Sequence, residues 1–357
     1  MNAALPDRFD RLIGAVQRNC HIADARHARE MTLCTYLLEM REFYRWEAGI
    51  PLGDPLARPE VGTWLTEREA LWETLAEDDF APLPLPEGEC EPFAVAEINR
   101  QLVPRGLVYG AGIGRFRKPH FFLGRLERRV EDSGLTVLVC ECEYARDLTT
   151  MPAALQGGTV IVRREALRQW LWEKAEAWSL KKTPGALALA LAAYGHGEDP
   201  QGALERMADA ETESLILHER GEHAAGRLLG TAWEDNLAAC SRRRAELLMR
   251  AVRDNLADCL VTLPTLIERQ AWPQLWFWFS NFDGMRRELF PLLANYEYAK
   301  VGAGGTAQAE SAATMETALR DIVQRGAMHW EQVARHLLEL DDTAAETLTR
   351  DLTKVSL

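Results

Sequence analysis

The sequence predicts a predominantly helical α+β protein, an irregular helical bundle with a small, mostly antiparallel four-stranded sheet inserted between its amino- and carboxyl-terminal helices. Three observations carry this reading. Apolar residues recur at helical spacing over 8–48 and over most of the chain after about residue 166. Runs rich in β-branched and aromatic residues are confined to about 106–163. A chain of 357 residues, 47% hydrophobic and 27% charged, can bury a large core. We therefore expect a helical region over 1–80, a proline-rich linker over 81–93, a small α+β region over 94–200 and a helical bundle over 201–357.

Residues 8–48 read as a short helix followed by a long one spanning Asn19 to Glu47, apolar nearly all round. Between its apolar sectors runs a polar lane of His21, Asp24, Thr32, Thr35, Glu39 and Glu42. Polar groups on a helix packed from several sides must find partners or ligands. A second break-and-resume gives a helix over about 61–76. Prolines 82, 84, 86 and 92 then rule out a helix or a central strand, which marks the linker.

Four strands follow: two from GLVYGAGIGRFRKPHFFLGRLERRVED joined near Lys118-Pro119, then LTVLVCECEYAR, then GGTVIVRR running into a helix. Gly110, Gly112 and Gly114 alternate, so one face of their strand is bare and something must approach it closely, a neighbouring side chain or a ligand. GAGIG lacks the spacing of a dinucleotide fingerprint and no phosphate-binding helix follows it. Arg115 and Arg117 remain candidates to hold an anionic substrate group beside that strand, or else are ordinary edge charges. Cys140 and Cys142 share one strand face and Glu141 and Glu143 the other. Glu143, with His120 of the neighbouring strand, is a weaker ligand candidate.

The carboxyl-terminal half predicts helices over 203–230, 234–262, 264–299 and 311–340. The first holds ETESLILHERGEHAAGRLLGTAW, Glu211 to Trp233, the stretch richest in chemistry. His218 and Glu222 lie one turn apart beside Leu215 and Leu229, and such an i, i+4 pair either binds one cation or satisfies itself. Glu219 and His223 lie on the adjoining face. HERGEH is neither the zincin motif nor its inverse, because one residue too many separates the first histidine from the Glu-His pair. The segment AWPQLWFWFSNFDGMRRELF has three tryptophans and four phenylalanines, as a core plug or a partner surface would.

A net charge of −13 and a pI near 5.2 argue against broad nucleic-acid or anionic-membrane binding. Seven scattered cysteines without CxxC suggest reduced thiols, and with no signal-peptide pattern or long apolar run the expected place is the cytoplasm, with no membrane span. The stretch Asn19 to Glu47 resembles the opening of an uncharacterised bacterial protein family. That resemblance covers under a tenth of the chain and implies no activity or site residue.

Three functions fit. A metal-dependent enzyme would hold zinc, iron or manganese on His21, Asp24, His218 and Glu222, with Glu219 as general base toward a small-molecule substrate; it requires two distant helices to meet. A non-catalytic assembly protein would use the same groups as a satisfied buried network and dock a protein partner. A binding protein for a small anionic molecule would place its pocket between sheet and helices, beside Arg115 and Arg117. The sequence leaves open the substrate, the oligomeric state and whether the chain is an enzyme.

Overall fold

The chain, described by a computed structural model over residues 9–114, 118–132, 134–302 and 309–340, divides into two compact units. One comprises residues 1–154 with 161–172, the other 155–160 with 173–357. The class is α+β and mostly helical, but the sheet count differs from expectation: there is a two-stranded sheet and a five-stranded one in place of a single four-stranded sheet.

The first unit begins with α1 (Asp10–His27), α2 (Leu33–Glu47) and α3 (Arg58–Leu75). The long helix expected over 19–47 is therefore two helices. After α1 comes a single 3-10 turn, Ala28–Glu30; Met31 and Thr32 are then extended at φ −78°, ψ 152° and φ −66°, ψ 151°, and Thr32 starts α2 by accepting the Thr35 amide at 3.3 Å. The polar lane is cut at that point, and α2 is not central: Leu33, Leu37 and Leu38 are 70%, 46% and 56% exposed. Within 81–93 lies a hairpin of β1 (Leu83–Leu85) and β2 (Gly88–Cys90), whose Leu83, Leu85 and Cys90 are buried.

After α4 (Val95–Leu102) come β3 (Leu107–Ile113), β4 (Pro119–Asp132), β5 (Leu135–Arg146), β6 (Ala153–Gln156) and β7 (Thr159–Arg163). They are ordered β3-β4-β5-β7-β6, with β3–β4 and β4–β5 antiparallel. Within this sheet the strand not expected from the sequence is β6, as β1 and β2 are in the other. Gly157 and Gly158, at φ 54° and 77°, form the two-residue turn between β6 and β7, a geometry that glycine adopts without penalty. One sheet face and α1 share a core of Val16, Cys20, Leu107, Tyr109, Phe121 and Leu123. The other face packs Val108, Phe122, Leu138, Cys140 and Ile161.

The bare strand face has a protein answer. A Cβ at Gly110 would sit 2.2 Å from the Phe122 ring, and one at Gly114 2.5 Å from His120, so neighbouring side chains fill it. Arg115 and Arg117 lie outside the described residues.

The chain leaves the first unit within α5 (Arg164–Lys181) and continues through α6 (Ala186–Ala193), α7 (Pro200–Leu229), α8 (Thr231–Ala239) and α9 (Arg243–Ala257). A π-helical segment, Asp258–Thr262, joins α9 to α10 (Leu263–Glu268), followed by α11 (Trp272–Ser280), α12 (Gly284–Leu289), α13 (Pro291–Gly302) and α14 (Ala309–Leu337). The expected helix over 264–299 is thus several short ones, each broken where a proline or a glycine falls at the start of the next. Leu275, Phe279, Phe282 and Phe290 are buried in one core with Trp233, Leu256, Leu263 and Trp330, so the aromatic-rich segment is core.

Candidate functional site

The longest helix of the second unit, α7, starts cleanly because Asp199 accepts the Gly202 amide at 2.9 Å and Pro200 occupies the first turn. Its thirty residues bury Leu204, Met207, Ile216, Leu217 and Leu229 and carry His218, Glu219 and Glu222 beside them. Gly221, in the middle of HERGEH, is the point of closest approach to the next long helix. A Cβ there would lie 2.4 Å from the Ala257 carbonyl oxygen, so only glycine lets α7 and the end of α9 come this near. That approach brings Arg253, Asp254 and Asp258 against the α7 residues.

The resulting cluster is dense in charge. His218 Nδ1 is 2.9 Å from Asp258 Oδ1, and its Nε2 is 3.6 Å from Glu222 Oε1. Arg253 donates to Glu222 at 2.7 Å, and Arg286 donates to the second oxygen of Asp258. Ligand atoms of His218, Glu222 and Asp254 all lie within 4.8 Å of one another, and among the described residues this is the group of His, Cys, Asp or Glu that could hold a metal ion. With Nδ1–H given to buried Asp258, the Nε2 lone pair of a neutral His218 faces the other two groups. Metal-ligating histidines are oriented in this way.

Electrostatics follow from burial and from these neighbours. Burial opposes charge on His218, but Asp258 and Glu222 more than offset it and hold its pKa well above the ordinary value. Burial and then the Glu222 charge push the Glu219 carboxyl up to about 7. Burial raises Asp254 as well. Burial would also raise Glu222, but the His218 hydrogen bond and Arg253 bring it below the usual carboxylate range. Four carboxylates (Glu219, Glu222, Asp254 and Asp258) therefore share two guanidiniums and one imidazole. With His218 charged, as its raised pKa implies, and all four acids ionised, a surplus of one negative charge remains, and a divalent cation would have to displace the proton on His218 Nε2 to bind there.

The other sequence candidates lie elsewhere. His21 and Asp24 belong to the first unit and have partners there. Arg68 Nη1 lies 2.6 Å from His21 Nε2, Trp72 Nε1 donates to Nδ1 at 3.3 Å, and burial together with Arg68 lowers the ring to about 3. A guanidinium against the ring nitrogen occupies the place where a cation would bind. Asp24 accepts Lys118 at 2.7 Å through one oxygen and the Leu148 amide at 2.9 Å through the other. His120 pairs with Asp147 at 2.5 Å. Glu143 is buried and held by Arg163 at 2.7 and 2.8 Å, because shifts of register between β4 and β5 break the strict alternation that placed it on an open face. His223 is partly buried and outside the group of three.

Sequence reasoning missed Arg253, Asp254 and Asp258. The two aspartates in RDNLAD stand at i and i+4, the same spacing as His218 and Glu222, and that is the signal that could have found them.

Among the described residues no helix is long and apolar enough to cross a membrane. No curated protein and no solved structure matches the chain. Residues 11–163 match the N-terminal domain of a family of unknown function (DUF6866), and residues 168–355 match the C-terminal domain of the same family. With both domains matched in order over nearly its whole length, the chain belongs to that family.

Proposed function

We propose that the second unit binds one divalent cation through His218, Glu222 and Asp254, and that the protein is a metal-dependent enzyme acting on a small molecule. The observation that carries this reading is the convergence of one imidazole and two carboxylates within 4.8 Å, with Asp258 behind the imidazole. One nitrogen and two oxygens suit manganese or iron(II) as well as zinc. Bound there, the ion supplies Lewis acidity. Glu219 beside it, with its carboxyl pushed up to about 7, is poised to hold or release a proton near neutral pH. The first unit's His21 and Asp24 have no part in this site.

The test is metal content by inductively coupled plasma mass spectrometry on chain purified without chelator or histidine tag, beside the double variant His218→Ala, Glu222→Ala and the single variant Asp254→Asn. Near-stoichiometric metal in the native chain, lost from the still-folded variants, is the expected result. Native protein that carries no metal and takes up none of added zinc, manganese or iron(II) would overturn it. A second reading, an assembly protein, is favoured by the exposed Leu33, Leu37 and Leu38 of α2. Analytical ultracentrifugation of a triple leucine-to-serine variant tests it, since loss of self-association or of partner binding is what that reading requires.

A further inference from the structure

The first unit carries an apolar groove of about 490 Å³ between the end of α1, the start of α2 and the second half of α3. Its walls are Ala25, Ala28, Met31, Tyr36, Trp72 and Ala76. Along α3 it runs from Glu69 to Ala76, about 10 Å or two helical turns. Beside it stands a ridge of similar length, the exposed Leu33, Leu37 and Leu38 on the first two turns of α2. Leu33 belongs to both, since it lines the groove and begins the ridge, so hollow and ridge form one apolar patch.

A hollow and a ridge of matching length, side by side on one surface, are what a self-complementary contact requires. A two-fold axis then lays the ridge of each copy in the groove of the other. The charges on the patch point the same way. Arg29, just past α1, and Glu73, on α3, both line the groove and are both exposed, and neither has an ion-pair partner among the described residues. Glu69, the other acid on the groove, is held by the Tyr36 hydroxyl at 2.8 Å. The groove therefore offers one free charge of each sign. A partner of uniform charge would satisfy one and oppose the other, whereas a second copy brings both, Arg29 to Glu73 and Glu73 to Arg29.

We propose that this patch is the contact between two copies of the chain, with Leu37 and Leu38 of each copy seated in the groove of the other and Arg29 facing Glu73 in both directions. It rests on the assembly reading and is independent of the cation site in the second unit. A patch two turns long makes a small interface of the transient class, with a dissociation constant on the order of tens of micromolar.

The experiment is sedimentation equilibrium of the full chain from about 5 to 500 µM, a range that brackets such an affinity. The expected result is a monomer–dimer equilibrium that Leu37→Ser, on an exposed side chain, weakens at least about tenfold. Arg29→Glu and Glu73→Arg are each expected to weaken it about fivefold or more, since each alone sets like charges against each other across the axis. An equimolar mixture of those two variants is expected to return to near-native affinity, because a two-fold contact between the unlike chains matches both charge pairs. A native chain that stays monomeric throughout overturns the proposal and leaves the assembly reading to a different protein. A dimer that Leu37→Ser and the charge variants leave unmoved also overturns it, while keeping that reading on another face. A mixture no tighter than either variant alone overturns the two-fold pairing.

Discussion

Replacing Gly221 by alanine tests the close helix approach on which the candidate cation site depends. In an ordinary helix interior the change stabilises by about 1 kcal/mol, because alanine loses less backbone entropy on folding. At Gly221 the new Cβ would lie 2.4 Å from the Ala257 oxygen and 2.8 Å from its carbonyl carbon, both backbone atoms that cannot rotate away. Ordinary carbon–oxygen contacts need about 3.3 Å or more, so α7 and α9 must part by roughly 1 Å. Overpacking of this kind costs about 1–3 kcal/mol and outweighs the helix gain. The expected net loss is about 1–2 kcal/mol, or a fall of about 2–8 °C in the melting temperature for a unit of this size.

Gly226, five residues on in the same helix, has nothing within 4 Å of a built Cβ. Gly226→Ala is therefore the internal comparison and is expected to raise the melting temperature by a few degrees. Differential scanning calorimetry of both variants, with and without added manganese, reads the two effects side by side. If Gly221→Ala were stabilised as much as Gly226→Ala, with unchanged metal response, the argument that this glycine sets the spacing of the cluster would be wrong.

Three further outcomes are expected. Burial pushes the Glu211 carboxyl up to about 8, so the folded state binds its proton more tightly than the unfolded chain does. The stability this confers is complete below the ordinary carboxylate pKa and is lost as pH rises from there to about 8; Glu211→Gln should remove that slope and exceed the native chain at pH 8 by an amount on the order of a few kcal/mol, measurable by urea titration at several pH values. Glu143→Gln strips buried Arg163 of its bidentate partner and should cost about 3–5 kcal/mol, whereas replacing both residues with leucine should cost less; chemical denaturation of the three chains decides. Thr32→Ala removes the cap of α2 and should cost about 1 kcal/mol, read as a lower denaturation midpoint, and an unchanged midpoint would show that the cap contributes nothing.

Much of the architecture is legible in the sequence because it is written locally. Helical spacing marks α7 and α14, and the strands β5 and β7 follow from their β-branched runs. What is not legible depends on single residues that switch conformation. The 3-10 turn Ala28–Glu30 and the extended Met31 and Thr32 divide a continuous apolar pattern into two helices, and the Gly157-Gly158 pair is a turn where the sequence suggested the start of a strand. Bulges between β4 and β5 carry Glu143 inward, a change that alternation by twos cannot anticipate. At the site, the pairing of His218 with Glu222 is visible at one-turn spacing, but its companions Asp254 and Asp258 come from another helix. No periodicity reveals which two helices touch. The role of Gly221 in letting them do so shows only once both helices are in place.

The π segment after α9 has a bearing on how this family can vary. Its wider turn accommodates one residue more than an α-helical turn would, and so resets the angular phase of everything beyond it. Asp254 before it and Asp258 at its first position look toward His218; after it, Leu263, Leu266 and Ile267 are buried in the core. Losing one residue anywhere in 258–262 would rotate one of these faces by about 100° against the other, so that either the acids or the leucines would point the wrong way. Insertions and deletions here are therefore barred more strictly than substitutions are. In a relative, the count of residues between the aspartate pair and the proline at position 264 would report whether the cluster has been kept, even where the side chains themselves have drifted.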